Sequence, residues 1–577
     1  MSETIVKSLE GIFRDAFNQA GVDENFPVML RNSPRADFGD YQINGIMAAA
    51  KKLGCNSNDL AQRVVSYVER GSIIEKLEVA GQGFINITLY NRYLEELLAK
   101  NSLLKFQPDQ AKVVVVDYSS PNLVKEMHVG HLRSTIIGDA LVRMHEFLGN
   151  RVIRRNHVGD WGTQFGMLLA YLAEIQKTNQ EISLELKDLE EFYRKSKYRF
   201  DNDQEFAKQS RDFVVKLQAE DPEIIKIWKK FVEISLEHCQ EIYARLGVKL
   251  MPEDAVGESF YNDLLPVMVS NLLKQKVATD NDGAKCVFFN EGEIDVKESA
   301  PFIIQKQDGG YLYSTADIAA VYDRINNLKA DILLYVIDSR QSLHLKQLFA
   351  TVKKAKIVSE TTHLEHVAFG TMLGTDNKPF KTRSGDTVKL TSLIDEAVSR
   401  AKEVVSRRNR DWDQASIDKL AEVLGVASVK YADLSKNRIC DYVFNLDQML
   451  SFEGNTAPYL LYAYVRINSI FRKLGLSMGD YLEGRRVVIN SVEERTLAIH
   501  LVRFIDTVML ATKESYPHYI CNYIYELAVI FMRFYENCPI IKASQEIKDS
   551  RLTLIATTSA VLKNALDLLG IVITESM

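Results

Sequence analysis

Hydrophobic and polar positions change their period several times along the chain, and each change predicts an element. The stretch that orders the rest runs VVVVDYSSPNLVKEMHVGHLRSTIIGDALVRMHEFL over 113–148. Four consecutive valines bounded by turn residues have the pattern of a strand buried on both faces. Ser119, Ser120, Pro121 and Asn122 break the run, after which Ile137, Leu141, Met144 and Leu148 recur at helical spacing until Gly149-Asn150 stops them. The prediction is strand, polar loop, helix, with His128, Gly130 and His131 at the helix start.

Around this unit the pattern divides the chain. Residues 1–105 read as a small α/β module: Ile5, Leu9, Ile12 and Ala16 form an amphipathic face, and FINITL at 84–89 alternates like a strand after a turn. Residues 110–390 read as a nucleotide-binding core. In it VIRRNHVGD at 152–160 supplies a second strand, and the strand-helix-strand order predicts a parallel sheet. A charged, mostly helical insertion over about 170–300 separates its halves; His238 and Cys239 within it lack partners at ligand spacing and read as packing residues. The core resumes with GGYLYSTADIAAVYDRI, ADILLYVIDSRQSLHLKQLF and the strand HLEHVAFG at 363–370. Asp117, Asp338 and Gly370 fall at carboxyl ends of strands, where open α/β sheets bind ligands. A helical connector covers 391–451. Over 452–577 the pattern is helical throughout, with Pro458 in a first turn, Tyr459, Ala463, Ile467 and Ile470 on one face, and Arg466, Arg472 and Lys473 on another. Tyr525, Phe531, Phe534 and Tyr535 read as core.

Composition sharpens this only at a few points. The 577 residues are 46% hydrophobic, enough for a large core and several domains. A formal net charge of -6 does not advertise nucleic acid, but RNA contact depends on local patches rather than the total. Six scattered cysteines without a CxxC pair argue against a zinc ribbon or a disulfide framework and suit a reducing cytosol. The first twenty residues are not a signal peptide, and no run approaches the ~18–20 apolar residues of a membrane span, so a soluble, cytoplasmic protein is expected.

A helix N-terminus presents unpaired N–H groups that favour phosphate, and two imidazoles beside it can donate to a pentacovalent phosphorus. Gly130 leaves room for a flat base to approach the backbone. Taken alone, two histidines could equally be ordinary polar residues at a helix start. The stretch PNLVKEMHVGHLRSTIIGD, however, resembles the HIGH signature of class I aminoacyl-tRNA synthetases in the form found in arginyl-tRNA synthetases of the bacterial type, and the resemblance extends over essentially the whole chain. It implies a Rossmann-like parallel-sheet catalytic core between a small N-terminal α/β module and a C-terminal all-helical anticodon-binding domain. The implied activity is ATP-dependent ligation of L-arginine to its tRNA through arginyl-adenylate, releasing AMP and pyrophosphate, with bound tRNA required for activation.

The same resemblance assigns residues. His128, Gly130 and His131 bind ATP, and Lys125 supplies a charge that the second phosphate element lacks. That element, GTDNKPFKTRSGDTVKL at 374–390, departs from the KMSKS pattern: Pro379, Phe380, Lys381, Thr382 and Arg383 replace the five letters, leaving Lys381 and Arg383 as its cations. Arginine is assigned to Asp117, Asn122, Tyr313, Asp317 and Gln341. From spacing alone Asp117 and Asp317 could be a strand-end acid and a solvated helix residue. A guanidinium nevertheless wants carboxylates converging from different elements. In the N-terminal module FGDYQ is similar to the segment that touches the tRNA elbow, which assigns Phe38, Tyr41 and Gln42; a turn before a core helix is the alternative. Arg466 is anticodon-side or structural. The expected partners are arginine tRNA, L-arginine and ATP, with Mg²⁺ as Mg-ATP, no structural zinc, no metal-ligating residue, no membrane, and a monomer. The competing readings are another class I enzyme such as the cysteinyl one, which would want zinc-ligand cysteines, and a catalytically silent tRNA-binding relative.

Overall fold

The valine run becomes β1 (Val113–Asp117), with Val114, Val115 and Val116 at 0–1% exposure because both faces of the sheet are covered. The structure is a computed structural model and describes residues 4–100, 102–177, 189–290, 292–294, 300–380, 388–482 and 484–577. The other strands of the central sheet are β2 (Arg151–Val158), β3 (Ala255–Gly257), β4 (Ile332–Tyr335) and β5 (His363–His366). They lie in the order β5-β4-β1-β2-β3, every pair parallel. The chain therefore leaves β1 toward β2 on one side and returns to place β4 on the other. A crevice opens at such a reversal, beyond the carboxyl ends of the strands.

Three helices frame that crevice: α1 (Val129–Phe147) after β1, α2 (Tyr313–Asn326) before β4, and α3 (Ser342–Lys354) after it. In α1 both faces are buried, from Leu132 and Ile136 to Arg133 and Asp139. One face meets the sheet and the other meets the C-terminal helices. Burying Arg133 requires a partner. Its guanidinium reaches the Asp433 carboxylate at 3.1 Å, both side chains at 2% exposure or less, and donates to the Cys440 carbonyl. Gly138 is needed where α1 crosses the loop after β1, since a Cβ there would stand 2.3 Å from the Tyr118 side chain.

Helices Thr163–Lys177, Leu189–Asn202, Gln204–Gln218 and Pro222–Leu246 follow β2, in the span expected to be a mostly helical insertion. Its last part differs. Ala278–Asn281, Ala284–Val287 and Phe302–Gln305 form an antiparallel three-stranded sheet. The buried residues there do not alternate with polar ones: Cys286 and Val287 are adjacent, and the outward residue between Phe302 and Ile304 is the apolar Ile303, which hid the strands.

The N-terminal module has a four-stranded antiparallel sheet ordered Leu30–Asn32, Tyr41–Ile43, Phe84–Leu89, Ile74–Ala80. Asp40 and Glu95 both fasten it to the C-terminal domain, Glu95 by accepting from the Ile489 amide at 2.8 Å. Asp40 receives both Arg495 guanidinium nitrogens, at 2.7 and 2.9 Å, and the Leu89 amide at 2.7 Å. Arg503 donates to the Asp40 carbonyl and lies 5.0 Å over the Tyr41 ring. Bidentate charge-assisted pairs fix geometry as well as energy. In the C-terminal bundle Phe531 and Phe534 are fully buried as expected for core. Arg466 donates to the Tyr462 hydroxyl at 2.8 Å and stacks over Tyr535 at 4.7 Å.

Candidate active site

The loop between β1 and α1 is bent hard. Ser119, Ser120 and Val124 all adopt positive φ, 71°, 47° and 79°. For a β-branched residue such as Val124 this is a strained conformation that only the surroundings can hold. They do so by hydrogen bonds: Ser119 N–H to Ser134 Oγ, Ser120 N–H to Asn156, and Val124 N–H to Ser235 Oγ. The strain delivers His128 to the N-cap of α1.

At that N-cap the two histidines cap the helix reciprocally. The Gly130 amide donates to His128 Nδ1 at 3.0 Å, and the His128 amide donates to His131 Nδ1 at 3.0 Å. A ring nitrogen that accepts from an amide carries no proton, so each neutral imidazole holds its hydrogen on Nε2. Neutrality is enforced. Burial, and then the neighbouring His128, push His131 down to about 3; burial, Lys125 and Arg340 lower His128. The rings lie 4.0 Å apart and offer two Nε2–H donors at a helix N-terminus. Gly130 has a nearer reason to be glycine than the approach of a base. A Cβ there would stand 2.7 Å from His128 Cε1.

Lys125 is exposed just upstream, its ammonium 5.4 Å over the Tyr193 ring of the insertion. Lys381 and Arg383, with Thr382 between them, lie outside the described residues. The chain on the return side is anchored to the histidine motif: the Val129 amide donates to the Val388 carbonyl, and the Leu390 amide to the Met127 carbonyl. Arg340, which the sequence reading passed over, is 80% exposed on its side chain, pairs with Asp338 at 2.7 Å and adds a cation near His128.

Across the crevice α2 carries Tyr313 and Asp317. Tyr313 is 60% exposed and packs on the His344 ring at 4.9 Å. The Asp317 carboxylate meets His344 Nε2 at 2.6 Å and stands 3.8 Å from His157 Nε2. Gln341 is exposed at the N-cap of α3, and Asn122 is exposed where the loop bridges Gly159. Asp117 is placed differently. It is buried at the end of β1, accepts from Ser120 Oγ at 3.0 Å and pairs with the buried Arg324 at 2.6 Å. Its charge is matched from within the fold.

One group in the crevice was not found from the sequence. Glu258 begins the short 3-10 helix Glu258–Leu264, and burial together with the facing Asp317 and Asp160 carboxylates pushes it up to about 7. Among the described residues no lysine or arginine pairs with it. Asp160 is satisfied by Ser259, which donates through its amide at 3.0 Å and through its hydroxyl. Among the described residues His157 Nδ1 and the Tyr261 hydroxyl, both buried, have no partner. Unmatched acid beside unpaired polar atoms in a crevice marks a site built for a polar, cationic ligand.

The residues assigned to tRNA lie in the N-terminal module and the C-terminal bundle. Tyr41 has no accessible surface, so no face is left for a base; its place is in the joint under Arg503. Gln42 donates to Asn86 at 2.8 Å and is partly exposed, as is Phe38 beside Arg35.

Three family models match: arginyl tRNA synthetase N terminal domain over 5–89, tRNA synthetases class I (R), catalytic domain over 93–446, and DALR anticodon binding domain over 460–577. The chain is 50% identical over 554 residues to the arginine–tRNA ligase of Chromobacterium violaceum, covering 96% of each, and 48% identical to that of Hahella chejuensis, covering 99% of each. Among solved structures it resembles the arginyl-tRNA synthetase of Plasmodium falciparum with a TM-score of 0.86 and 33% identity, over 100% of this chain and 99% of that one. The fold is also that of the Thermus thermophilus enzyme, with a TM-score of 0.85 at 23% identity and 100% of each chain covered.

Proposed function

The chain belongs to the arginyl-tRNA synthetases and is an arginine–tRNA ligase, and we propose that it divides the work between the two sides of the crevice between β1 and β4. On one side His128 and His131 donate from Nε2 to ATP, with Lys125, Lys381 and Arg383 neutralising the pyrophosphate. On the other, Asp317 and Glu258 accept the guanidinium of arginine, Tyr313, Gln341 and Asn122 orient the substrate, and Asp117 acts underneath by holding Arg324 and Ser120.

A carboxylate oxygen of arginine attacks the α-phosphorus of ATP, the bond to the bridging oxygen breaks, and pyrophosphate leaves. A ribose hydroxyl of the terminal adenosine of tRNA then attacks the arginyl carbonyl, loses its proton and displaces AMP. Neither step calls for a titrating protein base. Fixed donors aimed at developing charge, and alignment of the reactants, lower the barrier. Two neutral imidazoles suit this, because they donate hydrogen bonds without binding ground-state ATP as tightly as fixed cations would. Magnesium enters this reading on the ATP phosphates, which supply the oxygen ligands it favours; among the described residues no cluster of three potential ligands offers a cage. Bound tRNA is required before activation. The enzyme acts in the cytoplasm as a monomer: one chain contributes both sides of the crevice, and among the described residues no helix is long and apolar enough to cross a membrane. For tRNA the outer contacts are Phe38 and Gln42 on the N-terminal module and Arg466 on the C-terminal bundle.

The observation that carries this assignment is the pairing of an Nε2–H couple at a helix N-terminus with two carboxyl groups across the same crevice, Asp317 held only by histidine and Glu258 without a lysine or arginine partner among the described residues. ATP–pyrophosphate exchange with each amino acid, with and without tRNA, tests it. Exchange with arginine alone and only with tRNA present is expected. His131→Ala should lower the exchange rate, and Asp317→Ala should chiefly raise the arginine KM. Equal loss of tRNA binding in both variants would mean misfolding rather than mechanism, whereas an unchanged exchange rate in His131→Ala or an unchanged arginine KM in Asp317→Ala, with tRNA binding kept, would defeat the assignment.

A further inference from the structure

On the opposite edge of the sheet, at the amino-terminal ends of the strands, lies a second cavity of about 690 Å³. All three parts of the chain build it. Lys7 comes from the first helix of the N-terminal module, Lys112 from the approach to β1, Leu148 from the end of α1, Leu334 from β4, and Met509 and Lys513 from helix Phe504–Lys513. Ligands of open α/β sheets sit at the carboxyl ends, so this cavity is separate from the crevice described above.

His145 of α1 lines it at 6% exposure. The Lys112 amide donates to Asn150 Oδ1 at 3.1 Å, which orients that side-chain amide and turns its NH2 toward His145 Nδ1, also at 3.1 Å. Nδ1 therefore accepts, and burial keeps the ring neutral by lowering it to about 4. The hydrogen sits on Nε2, and among the described residues nothing accepts it. This donor lines the cavity and is left for whatever occupies it.

The charges around the cavity are unbalanced. Glu365 is matched by Arg438 at 3.3 Å, by the Ser515 hydroxyl at 2.9 Å and by His363 at 3.3 Å. Asp109 is matched by Lys7 at 3.0 Å. Lys112 and Lys513 are exposed and, among the described residues, have no carboxylate of their own. Leu148, Leu334 and Met509 supply apolar wall, and a volume in this range suits an organic molecule rather than an inorganic ion.

We propose that this cavity is a binding site for a small carboxylate with an apolar body, drawn by Lys112 and Lys513 and accepting one hydrogen bond from His145 Nε2. Its occupant touches the far end of the helix whose first turn holds His128 and His131.

The test is ligand-observed fluorine NMR on the full chain with 4-(trifluoromethyl)benzoate as probe and 4-(trifluoromethyl)benzylamine as its cationic counterpart. The benzoate should bind and the amine should not. The exposed double variant K112Q/K513Q should weaken the benzoate by about fivefold or more, the range expected for two partly solvated charges. Met509→Trp, which fills the wall, should weaken it with the charges intact. ATP, arginine and inorganic phosphate should leave the probe bound. Equal binding of acid and amine, unchanged affinity in both variants, or displacement by ATP or phosphate would each overturn the proposal.

Discussion

Arginine should bind more tightly as the pH rises from 6 to 8, and Glu258 sets the size of the effect. Its carboxyl is pushed up to about 7 by burial and by the Asp317 and Asp160 carboxylates. A guanidinium pairs with the ionised form only. The observed dissociation constant is then the intrinsic one divided by the ionised fraction. That factor is about 11 at pH 6, about 2 at pH 7 and about 1.1 at pH 8, so affinity should improve about tenfold from pH 6 to 8. Near pH 7 each arginine bound should release about half a proton. The sign is fixed by the direction of the shift: a raised carboxyl costs folding stability as pH climbs from its ordinary 4.5 toward 7, and a bound cation returns that cost. Glu258→Gln isolates this carboxyl: it should bind arginine more weakly at pH 8, with little change at pH 6 and a flattened profile. Titration calorimetry with arginine at three pH values, in two buffers of different ionisation enthalpy, measures affinity and proton count together. Equal wild-type affinity at pH 6 and 8 with no proton released would refute the reasoning.

Gly130→Ala places a methyl 2.7 Å from His128 Cε1, so the imidazole must turn from its cap; pyrophosphate exchange should fall about 10²-fold while the melting temperature stays within a degree or two. Arg133→Met leaves Asp433 buried without a cation, and a fall of about 3–5 kcal/mol in unfolding free energy is expected from the urea midpoint, largely recovered in Arg133→Met/Asp433→Leu. Asp40→Asn keeps the shape of the joint but gives up its charge on Arg495, at a cost of about 1.5–3 kcal/mol. Amide exchange at Leu89 and in helix Val492–Val502 should accelerate, and unchanged exchange would place the strength of the joint elsewhere.

What the sequence disclosed and what it withheld divide along a physical line. Periodicity is local, so the valine strand, the helix after it, and the helical spacing of Tyr313 and Asp317 were all legible before any coordinate. Charge is not local. Asp117 and Glu258 carry the same functional group, yet one ends a strand opposite Arg324 and the other opens a 3-10 helix facing two more carboxylates. Apart from the Ser120 hydroxyl bonded to Asp117, nothing within a dozen residues of either distinguishes them, because their charged neighbours arrive from other elements of the fold. Tyr41 is ambiguous for the same reason: an aromatic among amides reads alike whether a base or Arg503 lies over it. A substrate cation is best accepted where the fold has left acid unmatched, since a carboxylate already holding an internal guanidinium gains little from a second. Glu258 with Asp317, more than the better disguised Asp117, is therefore where selectivity for arginine should reside, and no alternation of apolar and polar residues could have pointed to that pair.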